Sequence, residues 1–189
     1  MKIAFVIYDN VTLLDFAGAY DPLTRLKTMG FMPDLTYDIC ARKECIRSAE
    51  GAELSADRVG CDLSSYDYVI IPGGEGIQQL MKDPAFLRWI SVASEKTTVA
   101  AVCGGSLLLG AAGLLRTRKA TTHPRLMNIL ENFVGDVSTD RIVDEGNIIT
   151  AGGVTAAIDL GLYLCEKIAG AEVRGKIQVQ MDYRCYRIV

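Results

Sequence analysis

The chain has 189 residues, half of them hydrophobic and 23% charged, a size and balance that let one domain bury its own core. Its net charge is −3 and its Lys and Arg residues are scattered, so no basic field exists to hold a phosphate backbone and nucleic acid is not an expected partner. Charged residues interrupt every apolar stretch before about 18 residues accumulate, which argues against a membrane-spanning helix and against a membrane partner.

In chain order, the first element is a strand over residues 3–8, an apolar run closed by Asp9 too early for the core of a signal peptide, so a cytoplasmic location is expected. A helix follows over residues 13–29, stopped by Gly30. The segment 34–56 breaks the pattern, with a strand-like LTYDICA and short pieces around Glu50-Gly51, and reads as an excursion at the sheet edge. Further buried strands are predicted at residues 68–71 and 98–102, with helices at 84–95 and 106–115. A hairpin over 141–150, turning at Glu145-Gly146-Asn147, is a second edge excursion, and a helix over 154–169 ends at Gly170. This alternation predicts an α/β fold: an open, mostly parallel sheet with helices on both faces. No linker, repeat or low-complexity stretch is visible, so one domain over residues 1–189 is expected, without the DNA-binding appendage of a complete transcription regulator.

Six cysteines, at 40, 45, 61, 103, 165 and 185, form no C-x-x-C pair, and the single histidine, His123, cannot complete a zinc site with them. Neither a metal, another cofactor nor a disulfide framework is expected. Apart from Cys103, each cysteine reads as a small buried hydrophobe or an inert surface thiol.

The most informative run is TTVAAVCGGSLLLGAAGLL, where a strand ends at Val102 and Gly104-Gly105 allow a tight turn before a Leu-rich helix. Cys103 is thereby placed at a helix N-terminus, where unpaired N–H groups and the helix dipole favour a thiolate and lower the thiol pKa. The alternative is a cysteine that fills space beneath the turn. The second motif, IIPGGEG at residues 70–76, is another strand ending in a glycine turn, which a parallel sheet opens on the same carboxyl edge as Cys103. Gly73 and Gly74 are candidate N–H donors for an oxyanion or an anionic carbon, or only a tight turn; the lysine and hydroxyl of G-x-x-x-x-G-K-S/T are absent, so a phosphate loop is not favoured. Asp15, in VTLLDFAG, is either a helix cap, a role open also to Thr12, or a desolvated acid with a raised pKa among Leu13, Leu14 and Phe16. His123, in KATTHPRL, is a structural hydrogen-bonder or a base.

Taken together, IAFVIYDNVTLLDFAG, VIIPGGEG, AVCGGSLLLGAAGLL, KATTHP and ITAGGVTAAIDLGLYL resemble, in order along the chain, the ThiJ/PfpI superfamily. The resemblance implies a flavodoxin-like, class I glutamine amidotransferase-like sheet, a homodimer and a reactive cysteine at Cys103. Within the superfamily the chain is most similar to the isocyanide hydratase branch, through LLDFAG, the elbow, LGAAGLL and ATTH. That likeness implies that Cys103 is the nucleophile and Asp15 the acid and base. It also implies a substrate pocket that uses Gly104, Gly152 and Val154, to which Gly73, Gly74 and His123 are added. Gly104 stands where that branch carries threonine, and Pro124 where an aromatic often follows the histidine. The implied activity is hydration of a small isocyanide to an N-substituted formamide through a thioimidate on Cys103. Glyoxalase or deglycase chemistry on 2-oxoaldehydes, and a non-catalytic redox or ligand sensor, are the alternatives.

Overall fold

A computed structural model describes residues 1–184, so Cys185 lies outside the described residues. The chain runs through β1 (Lys2–Val6), α1 (Leu13–Thr28), β2 (Thr36–Ala41), β3 (Cys45–Arg47), β4 (Glu53–Ser55), β5 (Arg58–Val59) and β6 (Tyr68–Ile71). It continues through α2 (Ile77–Leu80), α3 (Pro84–Ile90), β7 (Thr98–Val102), α4 (Gly105–Ala111), β8 (Lys119–Ala120), α5 (Met127–Leu130) and β9 (Asp136–Val137). It closes with β10 (Ile142–Asp144), β11 (Ile148–Ala151), α6 (Ala156–Ala169) and α7 (Ala171–Gln180).

A seven-stranded sheet in the order β10-β11-β7-β6-β1-β2-β5 organises the molecule. All its pairs are parallel except β10 with β11. Helices α1, α6 and α7 pack together on one face, while α4 contacts α2, α3 and α5 on the other. Both faces are covered, which is why β1, β6, β7 and β11 are almost wholly buried and read as continuous apolar runs rather than alternating ones. From β1 the chain moves outward to β2, then returns to build β6, β7 and β11 on the other side. The order of strands therefore reverses at β1/β6, where such sheets open a crevice at their carboxyl ends.

Strands β6 and β7 lie where the sequence placed them, and the segments that differ have local causes. β2 is no edge excursion: it pairs with β1 from Lys2↔Thr36 to Val6↔Cys40, and only the short β5 lies outside it. Likewise β10 is the sheet edge of the 141–150 hairpin, but β11 is an interior strand paired with β7. Helix α3 stops at Ile90, short of residue 95. There the Ser91 hydroxyl donates back to Leu87 O at 2.7 Å, and Ser94 Oγ accepts the N–H groups of Lys96 and Thr97, drawing the chain into a turn. Helix α4 stops at Ala111 because Gly113 takes φ +81°. Helix α7 was not foreseen: AEVRGKIQVQ is polar, buries only Ile177 and lacks a clear apolar stripe. Among the described residues no helix is long and apolar enough to cross a membrane.

Candidate active site

The strand β7 delivers Cys103 to a turn in which this residue has φ +56°, a left-handed conformation that costs a side-chain-bearing residue energy and persists only when its surroundings impose it. They do so on both sides of the residue. The Cys103 N–H donates to Ala151 O at 3.0 Å and Gly152 O at 2.8 Å, which ties the turn to the end of β11. Its carbonyl accepts the hydroxyls of Thr122 and Ser106, each at 2.7 Å. Gly105 is needed for a separate reason, because a Cβ there would lie 2.4 Å from Ile71 O and push α4 off β6.

Asp15 sits in the first turn of α1 yet caps nothing. Its side chain is fully buried, and Oδ2 accepts the Gly73 N–H at 3.0 Å. Thr12 also makes no side-chain cap; the Leu13 N–H is instead taken by the Glu50 carboxylate at 3.1 and 3.3 Å. The second oxygen of Asp15, Oδ1, has no formed hydrogen bond. The Asp15 carboxyl group and the Cys103 side chain close on the same spot beside Gly73, where an added Cβ would meet Asp15 Oδ2 at 2.7 Å and Cys103 Cβ at 3.0 Å, so strand-end and helix-start residues far apart in sequence meet at the crevice. Packing there is tight: a Cβ on Gly73 would stand 2.6 Å from Gly104 N and 2.7 Å from Asp15 Oδ2.

Burial pushes the Asp15 carboxyl up to about 7, against the pull of Cys103 and the Gly73 N–H, with Glu50 adding a small push. Cys103 departs from the expectation of a lowered pKa. The N–H groups of Gly104 and Val154 do donate toward its sulfur, but burial first and the Asp15 charge second outweigh them and raise the thiol to about 12. The two groups are therefore one acid–base unit. Once the first proton leaves, the remaining one rests mainly on sulfur, and a minor form carries a thiolate beside a protonated carboxyl group.

The other candidate residues divide between supporting the elbow and lining a cavity of about 540 Å³ in front of it. The Gly73 N–H is committed to Asp15, which corrects its reading as a free oxyanion donor. Gly74, at φ +133°, lines the cavity and has no backbone acceptor for its N–H among the described residues. Gly104 and Val154 line the cavity, whereas Gly152 uses its carbonyl on Cys103 and its N–H on Arg141 O at 3.0 Å. His123 Nδ1 accepts the Arg125 N–H at 3.1 Å, and its ring covers Gly153. The imidazole is thus a cap and a cavity wall, with no hydrogen bond to Cys103 or Asp15 among the described residues. Ile77, Met81, Leu107, Leu126 and Ile129 supply an aliphatic part of the lining, and Thr12, Glu75, Gln78 and Arg125 a polar part. Cys40 and Cys165 are buried, Cys61 is half-buried and Cys45 is exposed. Thr122, Glu50 and Tyr8 also build this site; Thr122 and Tyr8 lie inside the runs KATTHP and IAFVIYDN, but nothing in those runs gave them a role of their own.

A mostly parallel α/β sheet with a cysteine on a left-handed strand–helix turn, backed by a buried carboxyl group, defines the class of protein. Residues 1–167 match the model of the DJ-1/PfpI family, and the chain belongs to that family. It is 35% identical to an isonitrile hydratase of Pseudomonas putida over 97% of this chain and 78% of that one. It is 27% identical to the protein DJ-1alpha of Drosophila melanogaster over 89% of this chain and 77% of that one. A crystal structure of a ThiJ/PfpI family protein from Pseudomonas syringae superposes with a TM-score of 0.88 at 26% identity, covering 100% of this chain and 77% of that one.

Proposed function

We propose that this protein hydrates an isocyanide to an N-substituted formamide, with Cys103 as nucleophile and Asp15 as acid and base. The observation that carries this reading is the buried Asp15 carboxyl group facing the Cys103 thiol, a proton donor and a nucleophile held as one unit. Similarity to an isonitrile hydratase over most of the chain supports it. The aliphatic part of the cavity, formed by Ile77, Met81, Leu107, Leu126 and Ile129, suits an apolar substituent on the substrate.

In the reactive form the thiolate attacks the terminal carbon while the Asp15 proton passes to that same carbon, leaving a thioimidate and a carboxylate. Water then bonds to this carbon, and one of its protons travels by way of Asp15 to the nitrogen. The C–S bond breaks, its electron pair returns to sulfur, and the remaining hydroxyl proton restores the Asp15–Cys103 unit. One water is consumed and one formamide released. The N–H groups of Gly104 and Val154 hold the sulfur when it leaves as an anion, and the Gly74 N–H is available to the nitrogen side of the intermediate.

The test is turnover of a panel of isocyanides and 2-oxoaldehydes by the purified chain, with Cys103→Ala as control. Formamide production that disappears in Cys103→Ala supports the reading. Conversion of 2-oxoaldehydes alone, or of neither class, overturns it.

A further inference from the structure

Tyr8 lies two residues beyond the end of β1 and is almost fully buried, with its ring set edge-on against Phe86 at 5.8 Å. Its hydroxyl donates to Pro72 O at 2.6 Å. That carbonyl belongs to the peptide unit whose N–H is the Gly73 donor to Asp15 Oδ2. In a trans peptide the C=O and N–H point to opposite sides, so one rigid plane connects the phenol on one side with the carboxyl group on the other. The next carbonyl, Gly73 O, accepts the Thr12 N–H at 3.1 Å, which ties the same turn to the start of α1.

We propose that Tyr8 is a positioning residue: through the Pro72–Gly73 peptide it orients and strengthens the N–H donor that holds the Asp15 carboxyl group against Cys103. Hydrogen bonds in series polarise one another, so donation into the carbonyl makes the N–H a better donor to the carboxylate. Burial, followed by the negative charges of Asp15 and Cys103, raises the Tyr8 phenol well above its ordinary range and keeps it a donor at every working pH. Besides Tyr8, the titratable groups that act on Asp15 are Cys103 and Glu50.

The inference rests on the Asp15–Cys103 unit of the proposed reaction, but its test needs no isocyanide. The rate at which iodoacetamide alkylates Cys103, followed by peptide mass spectrometry across pH, rises in a first limb as the unit loses its first proton, near 7. In Tyr8→Phe the carboxylate is less well held, and the midpoint of that limb moves up by about half a pKa unit. Tyr66→Phe serves as control, because it removes a tyrosine hydroxyl bonded to Asp38 at 2.8 Å, away from the site, and leaves the midpoint unchanged. A monofluorinated tyrosine in place of Tyr8 keeps the hydroxyl, donates more strongly and moves the midpoint down, so the proposal stays testable if Tyr8→Phe folds poorly. A midpoint that stays at the wild-type value in both Tyr8 variants, or moves equally in Tyr66→Phe, overturns the proposal. Absence of isocyanide turnover alongside a shifted midpoint counts against the hydratase reading alone.

Discussion

Replacing Asp15 with asparagine separates two properties that usually fall together, thiol reactivity and catalysis. In the wild type, burial and the Asp15 charge together hold the Cys103 thiol up at about 12. The amide keeps the burial and removes the charge. A unit charge within hydrogen-bond reach in a partly buried site is worth roughly one to three pKa units. The wild type already contains some thiolate, in the form whose proton sits on the carboxyl group, and this limits the gain. With both contributions weighed, the thiolate fraction at about pH 8.5 rises roughly tenfold in Asp15→Asn. Cys103 is therefore expected to alkylate roughly tenfold faster in the variant, and the limb near 7 disappears because its carboxyl group is gone. Isocyanide hydration is lost all the same, since an amide neither delivers the carbon proton nor relays one from water. The assay pairs peptide-resolved iodoacetamide kinetics with formamide production on the same preparations. Alkylation that is slower than wild type, or unchanged, would falsify the account in which the carboxylate raises the thiol.

Three further outcomes are expected. Asp15 keeps its proton in the folded chain up to about 7 but loses it near 4 when unfolded, so stability present at low pH is lost as pH rises through that window, on the order of 4 kcal/mol in all; the Tm of the wild type should fall relative to Asp15→Asn between those pH values, and a constant difference contradicts the raised carboxyl. Gly104→Thr places its Cβ 2.6 Å from Ile77 Cδ1, the far end of a side chain on the cavity wall, so Ile77 turns aside at a cost of about 1 kcal/mol or less; unfolding in urea measures this, and a loss above about 3 kcal/mol would show that Ile77 is fixed in place. His123→Ala removes the acceptor of the Arg125 N–H and a cavity wall but no proton carrier, so kcat/KM for hydration should fall by less than about tenfold, and a loss as deep as that of Cys103→Ala would transfer the acid–base role to the imidazole.

Much of this molecule was legible in local sequence because local sequence determines it. Apolar runs bounded by glycine turns specify buried parallel strands, and V-C-G-G between such a run and a Leu-rich stretch places Cys103 on a strand–helix turn whatever surrounds it. The choice between cap and acid for Asp15 was different in kind. Thr12 and Asp15 satisfy the same local pattern, and the question was settled by Glu50, 37 residues away, which takes the Leu13 N–H and frees Asp15 to turn inward onto Gly73. The protonation of Cys103 was likewise out of reach. A helix terminus argues for a thiolate, but the opposing effects, burial and a carboxylate from another element, exist only once β1, β6 and β7 are side by side. Tyr8, Thr122 and Ile77 reach the site through a peptide plane, a carbonyl and a cavity wall that the tertiary fold alone creates. Sequence by itself marked Cys103 and Asp15 as the candidates for chemistry. The packing of the sheet decided which protons they hold and what holds them in place, because desolvation and charge coupling depend on neighbours that are distant along the chain.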